Sequence, residues 1–360
     1  MTPMNLLLLG AGASFGARVA LGPDPLPPLG HELAAYILRW LDVNDPSNVV
    51  GRGAWKQHFP EIKDALTTVA NQKTYTSAST QPFEKLMDRW SRSNDHHRIC
   101  LRICQKLIAC SMAGGQLCGF SEQADRLDDL LALEKPAAVV TVNYDTLFEE
   151  AVQRRSLRYT YIGIPGIHSD VYVSPGGGGT PIPIFKIHGS INWLQARGGA
   201  GGPNFEESLR LAEERQDRTV RSAHIPDASQ SFATTVASNR PELLKALDDF
   251  SPSGGPVVAV YGPGKPFMSN PEHVERHRAA CLDRLRSTAI NRVVVIGIRP
   301  VCKADDPTLH GLIDELNARA VEKVYVSPSA EDCEEFRLRG FSAERATLAE
   351  FLERAPPVTV

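Results

Sequence analysis

The sequence lacks any apolar run near the roughly 18 residues that a membrane-spanning helix needs, so no membrane partner is expected. It also lacks a Cys-x-x-Cys pair: its seven cysteines stand singly at 100, 104, 110, 118, 281, 302 and 333. That excludes a structural zinc of the paired-CxxC type, and no metal is expected. An odd, scattered set of cysteines points to reduced thiols in a cytoplasm rather than a disulfide framework. Neither sign of charge is in large excess. A net charge of −3 gives no electrostatic argument for nucleic acid. The run Leu6 to Leu9 is too short for a signal-peptide core and has no basic flank. A Walker lysine motif, a Ser-His-Asp elbow, a kinase signature and internal repeats are all missing.

What remains is an ordinary globular composition, 42% hydrophobic and 22% charged over 360 residues, enough for one large domain. Short, uniformly apolar runs at 4–9, 137–142, 182–187, 256–261, 292–296 and 322–326 read as strands of one sheet. Helical periodicity separates them, at 144–154, 272–290 and 307–320 among others. Strands alternating with helices predict an α/β fold, a Rossmann-like doubly wound parallel sheet. Between the first two strands, helical patterns at 30–41, 54–70, from 81, 99–112 and 122–133 predict a helical insertion subdomain over 23–135. Short strands are expected within 159–173. Loops are expected at proline-rich 23–30 and at glycine-rich 176–179 and 197–203, before a polar stretch over 204–250. A helical tail over 330–360 completes a single domain, 1–360.

Three motifs sit just past apolar strands, where open α/β sheets build their ligand crevice. Gly10-Ala11-Gly12-Ala13-Ser14 follows the first strand. It reads either as a tight strand–helix turn or as a phosphate cradle at a helix start, with Ser14 adding a hydroxyl. Its spacing departs from G-x-G-x-x-G, and no acidic residue ends a second strand about 20 residues on, which argues against a hydride-transfer dehydrogenase. Thr141-Val142-Asn143-Tyr144-Asp145 ends the second strand. Asn143 offers donors and an acceptor to a water or a ribose hydroxyl. Asp145 either serves the same site or caps the next helix. His188-Gly189 ends the strand 182–187, where an imidazole takes a proton or bonds a hydroxyl. His96, His97, His273 and His277 read as solvated helix faces, and His273/His277 lack a third metal ligand. His31 and His310 carry no such assignment. Arg299 and Asp306 read as contacts on the adenosine side of a nucleotide, or as solvated surface and a helix cap.

In this order the motifs resemble the sirtuin-like family, in particular its prokaryotic members without a zinc module. The late strand 292–296 with Gly297 and Arg299 is similar to the strand whose loop contacts the nucleotide in that family. The resemblance implies NAD as substrate, held by Gly10, Ala11, Gly12, Ala13, Ser14, Thr141, Gly297 and Arg299. It implies catalysis by Asn143, His188 and Asp145. The expected activity is NAD glycohydrolysis, releasing nicotinamide and ADP-ribose and depleting NAD in antiviral defence. A homo-oligomer, or a regulatory partner such as an ATPase or a nucleic-acid-sensing protein, is expected to supply the trigger. Family deacylases carry glutamine where Val142 stands, a different loop from Gly297-Ile298-Arg299-Pro300, and paired zinc cysteines that help form the acyl-lysine groove. NAD hydrolysis is therefore expected before protein deacylation. A non-catalytic NAD or ADP-ribose sensor and a zinc-free deacylase are the alternatives.

Overall fold

A computed structural model describes residues 4–17, 32–44, 58–72, 82–92, 95–114, 126–164, 171–196, 233–238, 242–243, 256–258, 271–300 and 306–355. The loops at 23–30 and 197–203, most of 204–250, and His31, Cys118 and Cys302 lie outside them. In chain order the elements are β1 (Met4–Leu9), α1 (Ala11–Ala17), α2 (Leu33–Val43), α3 (Phe59–Ala70), α4 (Pro82–Arg92), α5 (Asp95–Gly114), α6 (Arg126–Glu134) and β2 (Ala138–Thr141). There follow α7 (Leu147–Arg154), β3 (Leu157–Tyr161), β4 (Tyr172–Val173), β5 (Gly178–Lys186), β6 (Gly189–Ala196), β7 (Ala233–Val236) and β8 (Pro256–Val258). The last are α8 (Pro271–Ser287), β9 (Ile290–Ile296), α9 (Pro307–Asn317), β10 (Glu322–Ser327), α10 (Ala330–Leu338), β11 (Ser342–Arg345) and α11 (Leu348–Arg354). Among the described residues, no helix is long and apolar enough to cross a membrane.

The chain divides into two compact units. The first comprises 1–29, 116–190 and 272–360 and holds an eight-stranded sheet in the order β11-β10-β9-β1-β2-β5-β3-β4. Every pairing in it is parallel except β3 with β4. This is the α/β, doubly wound, Rossmann-like architecture that alternating strands and helices predict. Its middle strands are the most apolar in sequence, because helices cover both faces of a parallel sheet. Leu6 to Leu9 of β1 and Val293 to Ile296 of β9 are buried throughout. Leu6, Leu8, Val140, Phe185, Val293 and Val295 form one core with Leu309, Leu312 and Ile313 of α9.

β5 is an interior strand despite Pro183, which cannot donate to a ladder. Pro183 pairs in register with Thr160 of β3, and pairing with β2 begins only at Ile184. Two expectations change in detail. The run 256–261 contributes β8, but β8 joins a separate three-stranded sheet with β6 and β7. The tail expected to be helical over 330–360 is interrupted by β11, which extends the large sheet beside β10.

The second unit comprises 30–115 and 191–271. Helices α2 to α5 pack against one another in it, and α5 meets β8, where Gln105 Nε2 donates to the Val258 carbonyl at 3.2 Å. Trp90, Cys104, Leu107 and Trp193 are among its buried side chains.

Candidate functional site

Strand register builds the site within the first unit. Leu9 of β1 pairs with Thr141 of β2 on one side and with Ile296 of β9 on the other, and Thr141 pairs with Lys186 of β5. Four neighbouring strands therefore end in one row. The residues just beyond it are Gly10, Val142 and Asn143, Ile187 and His188, and Gly297. The sheet order also reverses at β1 and β9: one half runs outward through β2, the other through β9, β10 and β11. Ligands of open α/β sheets bind past the carboxyl ends of the strands at such a switch point.

The glycine turn is explained first by the protein's own backbone. Gly297 has φ +65°, and a Cβ there would lie 2.4 Å from Gly12 Cα and Ala13 N. A Cβ on Gly10 would meet the Gly297 carbonyl oxygen at 2.4 Å, and one on Gly12 would meet Gly297 Cα at 2.7 Å. The Gly12 amide donates to the Gly297 carbonyl at 3.2 Å, the Gly10 amide to Ile296 at 2.9 Å, and the Ala13 amide to Gly10 at 2.9 Å. Glycine is needed here because two strand-end loops touch backbone to backbone. Ala11 begins α1, and Ala13 and Ser14 are buried in its first turn.

Ser14, Asn143 and Asp145 form one hydrogen-bonded cluster. Asn143 Nδ2 donates to Ser14 Oγ at 2.7 Å and to the Gly10 carbonyl at 2.9 Å. Ser14 Oγ donates to Asp145 Oδ2 at 2.8 Å. Thr141 Oγ1 accepts from the Asn143 amide at 3.0 Å, fixing the turn after β2. Asp145 Oδ1 accepts from the Leu147 amide at 3.1 Å, so this carboxylate also steadies the start of α7. Asp145 thus bonds to Ser14 and supports the start of α7, although Thr146 occupies the cap position. Burial pushes the Asp145 carboxyl above its ordinary value, opposed by the Lys186 ammonium, the Ser14 hydroxyl and the Leu147 amide.

His188 is 7% exposed, and its Nε2 lies 2.6 Å from Oδ2 of Asp306, which is 1% exposed. Asp306 is the N-cap of α9, and its Oδ1 accepts from the Leu309 amide at 2.9 Å. The cap reading of Asp306 is thus the one the geometry bears out, joined to a role on His188 that spacing does not show. Arg299 is exposed, and its charge acts on Asp332 at the start of α10.

Lys186, His277 and Arg278 are buried and brace these loops. Lys186 is fully buried; its Nζ donates to Glu149 Oε1 at 2.9 Å and to the Asp145 carbonyl. Tyr161 OH donates to the same Glu149 oxygen at 2.7 Å. A lysine inside the apolar run Ile184 to Ile187 is the one clue in the sequence. His277, expected on a solvated face, is instead fully buried. Its Nε2 accepts from the Lys186 amide at 2.9 Å and its Nδ1 donates to the Ile162 carbonyl at 2.5 Å. Burial lowers its pKa to about 4, which keeps the ring neutral. Arg278 Nε donates to the Ile187 carbonyl at 2.8 Å, beside His188.

No protein-family model matches this chain, and no curated protein matches it. Among solved structures it is similar to a mutant Sir2 homologue in complex with 2'-O-acetyl ADP ribose. The identity is 13%, the TM-score 0.39, and the match covers 98% of this chain and 89% of the other. A likeness of that strength leaves the fold to rest on the strand order and pairing described above.

Proposed function

We propose that this chain is a sirtuin-like NAD glycohydrolase that cleaves the nicotinamide–ribose bond, with Asn143, Asp145 and His188 in its site. One observation carries the reading. Thr141 pairs with Lys186, so Asn143 and His188 leave the adjacent ends of β2 and β5, on the β2 side of the switch point between β1 and β9, each two residues past the pair. Both residue types suit the chemistry. In the hydrolysis, the oxygen of water bonds to the anomeric carbon, the carbon–nitrogen bond breaks, and nicotinamide leaves as a neutral molecule. The proton released by the water goes to His188, and the Asp306 carboxylate at 2.6 Å stabilises the resulting imidazolium. Asn143 positions the ribose or the water. The strand-end loops at Gly10–Ser14 and Gly297–Arg299 flank the dinucleotide. A defensive role, a triggering partner and self-assembly belong to this reading through the resemblance of the motifs.

A binder of NAD or ADP-ribose without turnover is the second reading. It is favoured by the closure of the Ser14–Asn143–Asp145 cluster, whose side chains bond to one another. Nicotinamide release from NAD by the wild type, beside His188→Ala and a direct NAD-binding measurement, separates the two. Release by the wild type and loss of release in a folded His188→Ala protein are expected. Undiminished release in His188→Ala overturns the assignment, and binding without release by either protein establishes the sensor.

A further inference from the structure

We propose that the second unit holds a zinc(II) site made by His58, His96 and Cys100, with Glu61 orienting one of the ligands. The coordinating atoms of His58, His96 and Cys100 all lie within 4.8 Å of one another. The four residues come from two rigid elements. His58 is the N-cap of α3 and Glu61 lies in its first turn, three residues on. His96 and Cys100 are spaced i, i+4 on α5, hence on one face of that helix. Each has an ordinary role alone: a helix cap, an exposed helix surface, a core thiol. Those roles do not account for two imidazoles, a thiol and a carboxylate converging on one point.

The donor set selects the metal. Imidazole nitrogen and thiolate sulfur are ligands for zinc and its neighbours, whereas calcium and magnesium take oxygen. Zinc–nitrogen bonds of about 2.0 Å and zinc–sulfur bonds of about 2.3 Å place tetrahedral ligand atoms about 3.3–3.6 Å apart. The observed cluster needs to draw in by about 1 Å to reach that geometry. His96 is 45% exposed and has room to move, and its exposure also provides the way in. Glu61 Oε2 lies 2.5 Å from His96 Nε2, the relation of a carboxylate that fixes a ligating imidazole through its other nitrogen. Glu61 Oε1 also lies 3.4 Å from His97 Nε2. The His58 and His96 ring centroids are 4.5 Å apart, with the ring planes tilted by 54°. Burial, with the Glu61 charge next, pushes the Cys100 thiol up to about 12, and a bound dication removes that obstacle by taking the thiolate directly. The three protein ligands leave a fourth position for water. The site would staple α3 to α5, a bond between helices where the described cysteines are all free thiols.

The test uses the full chain, purified without a histidine tag, stripped with chelator and reloaded with zinc(II) or cobalt(II) alone. A single zinc per chain surviving dialysis is expected. Cobalt(II) should give a thiolate-to-metal charge-transfer band that Cys100→Ser abolishes and Cys104→Ser, one turn further along α5, retains. Because His96 is exposed, His96→Gln leaves the fold intact and should weaken zinc affinity at least about tenfold, and Glu61→Gln by about 10- to 100-fold. Absence of stoichiometric zinc in the reloaded protein overturns the proposal. So does a cobalt band that survives Cys100→Ser, or an affinity that His96→Gln leaves unchanged.

Discussion

His188 and Asp306 share one short contact, Nε2 to Oδ2 at 2.6 Å, and the second oxygen of the same carboxylate caps helix α9. One side chain thereby does two things, and substitutions separate them. Asp306→Asn keeps an oxygen for the Leu309 amide but removes the charge beside His188. Under the proposed function, turnover of NAD should fall by about 10²-fold or more with little change in melting temperature. Asp306→Ala loses the cap as well and should cost about 1 kcal/mol of additional stability in denaturant unfolding. Equal turnover in wild type and Asp306→Asn would remove Asp306 from the chemistry.

The contact between the two strand-end loops predicts a sharp asymmetry among glycines. Gly297→Ala places a methyl group 2.4 Å from Gly12 Cα at φ +65°. The backbone conformation alone should cost about 1–3 kcal/mol, and the clash adds to it. Gly311 on α9 has nothing within 4 Å of its Cβ position. Gly311→Ala should stabilise by about 0.5–1 kcal/mol, since glycine is a poor helix former. Urea midpoints of the two variants check this; comparable, small shifts in both would mean that the loops do not touch as described.

The buried pair Lys186–Glu149 predicts non-additive substitutions. Lys186→Met leaves the Glu149 carboxylate buried, with Tyr161 OH still donating to it. Breaking such a pair costs about 3–5 kcal/mol. The double variant Lys186→Met/Glu149→Gln should recover a large part of that loss, because the Glu149 charge is removed together with its cation. A double-mutant cycle measures the coupling, and a double variant no more stable than Lys186→Met would contradict it.

His277 predicts an acid-side loss of stability. Its pKa of about 4 in the folded protein lies below the ordinary value of 6.5. As pH falls from about 6.5 towards 4, the unfolded chain takes up a proton that the folded ring refuses. Stability therefore declines through this window, by roughly 3 kcal/mol at its lower end. His277→Gln, which carries an amide and does not titrate, should show a shallower decline. Unfolding free energies at several pH values compare the two slopes, and identical slopes would exclude His277 as the cause.

Much of the large sheet was legible because its inner strands are buried on both faces. Nothing but a continuous apolar run such as Leu6 to Leu9 or Val293 to Ile296 satisfies that environment. The residues just after such runs, polar at Asn143 and His188 and glycine at 297, were legible as strand-end loops for the same reason. A short apolar run does not name its partner, however. The run from 256 therefore looked like another strand of the large sheet and pairs instead with β6. Periodicity similarly gives His277 a helix and a face but not what covers that face, which is β5 and the Ile162 carbonyl.

By itself, the sequence determined the alternation of strands and helices, the identity of the central strands and the residues at their carboxyl ends. These follow from local periodicity and burial. Only the tertiary structure decided which of those residues meet. Asp306 reaches His188, Gly297 closes on Gly12, and Lys186 braces Asp145 and Glu149 through contacts between distant parts of the chain. His58 and Glu61 meet His96 and Cys100 through the packing of α3 against α5. Such meetings depend on strand order and helix packing, and those are set by the sum of many weak contacts rather than by the spacing of any one motif.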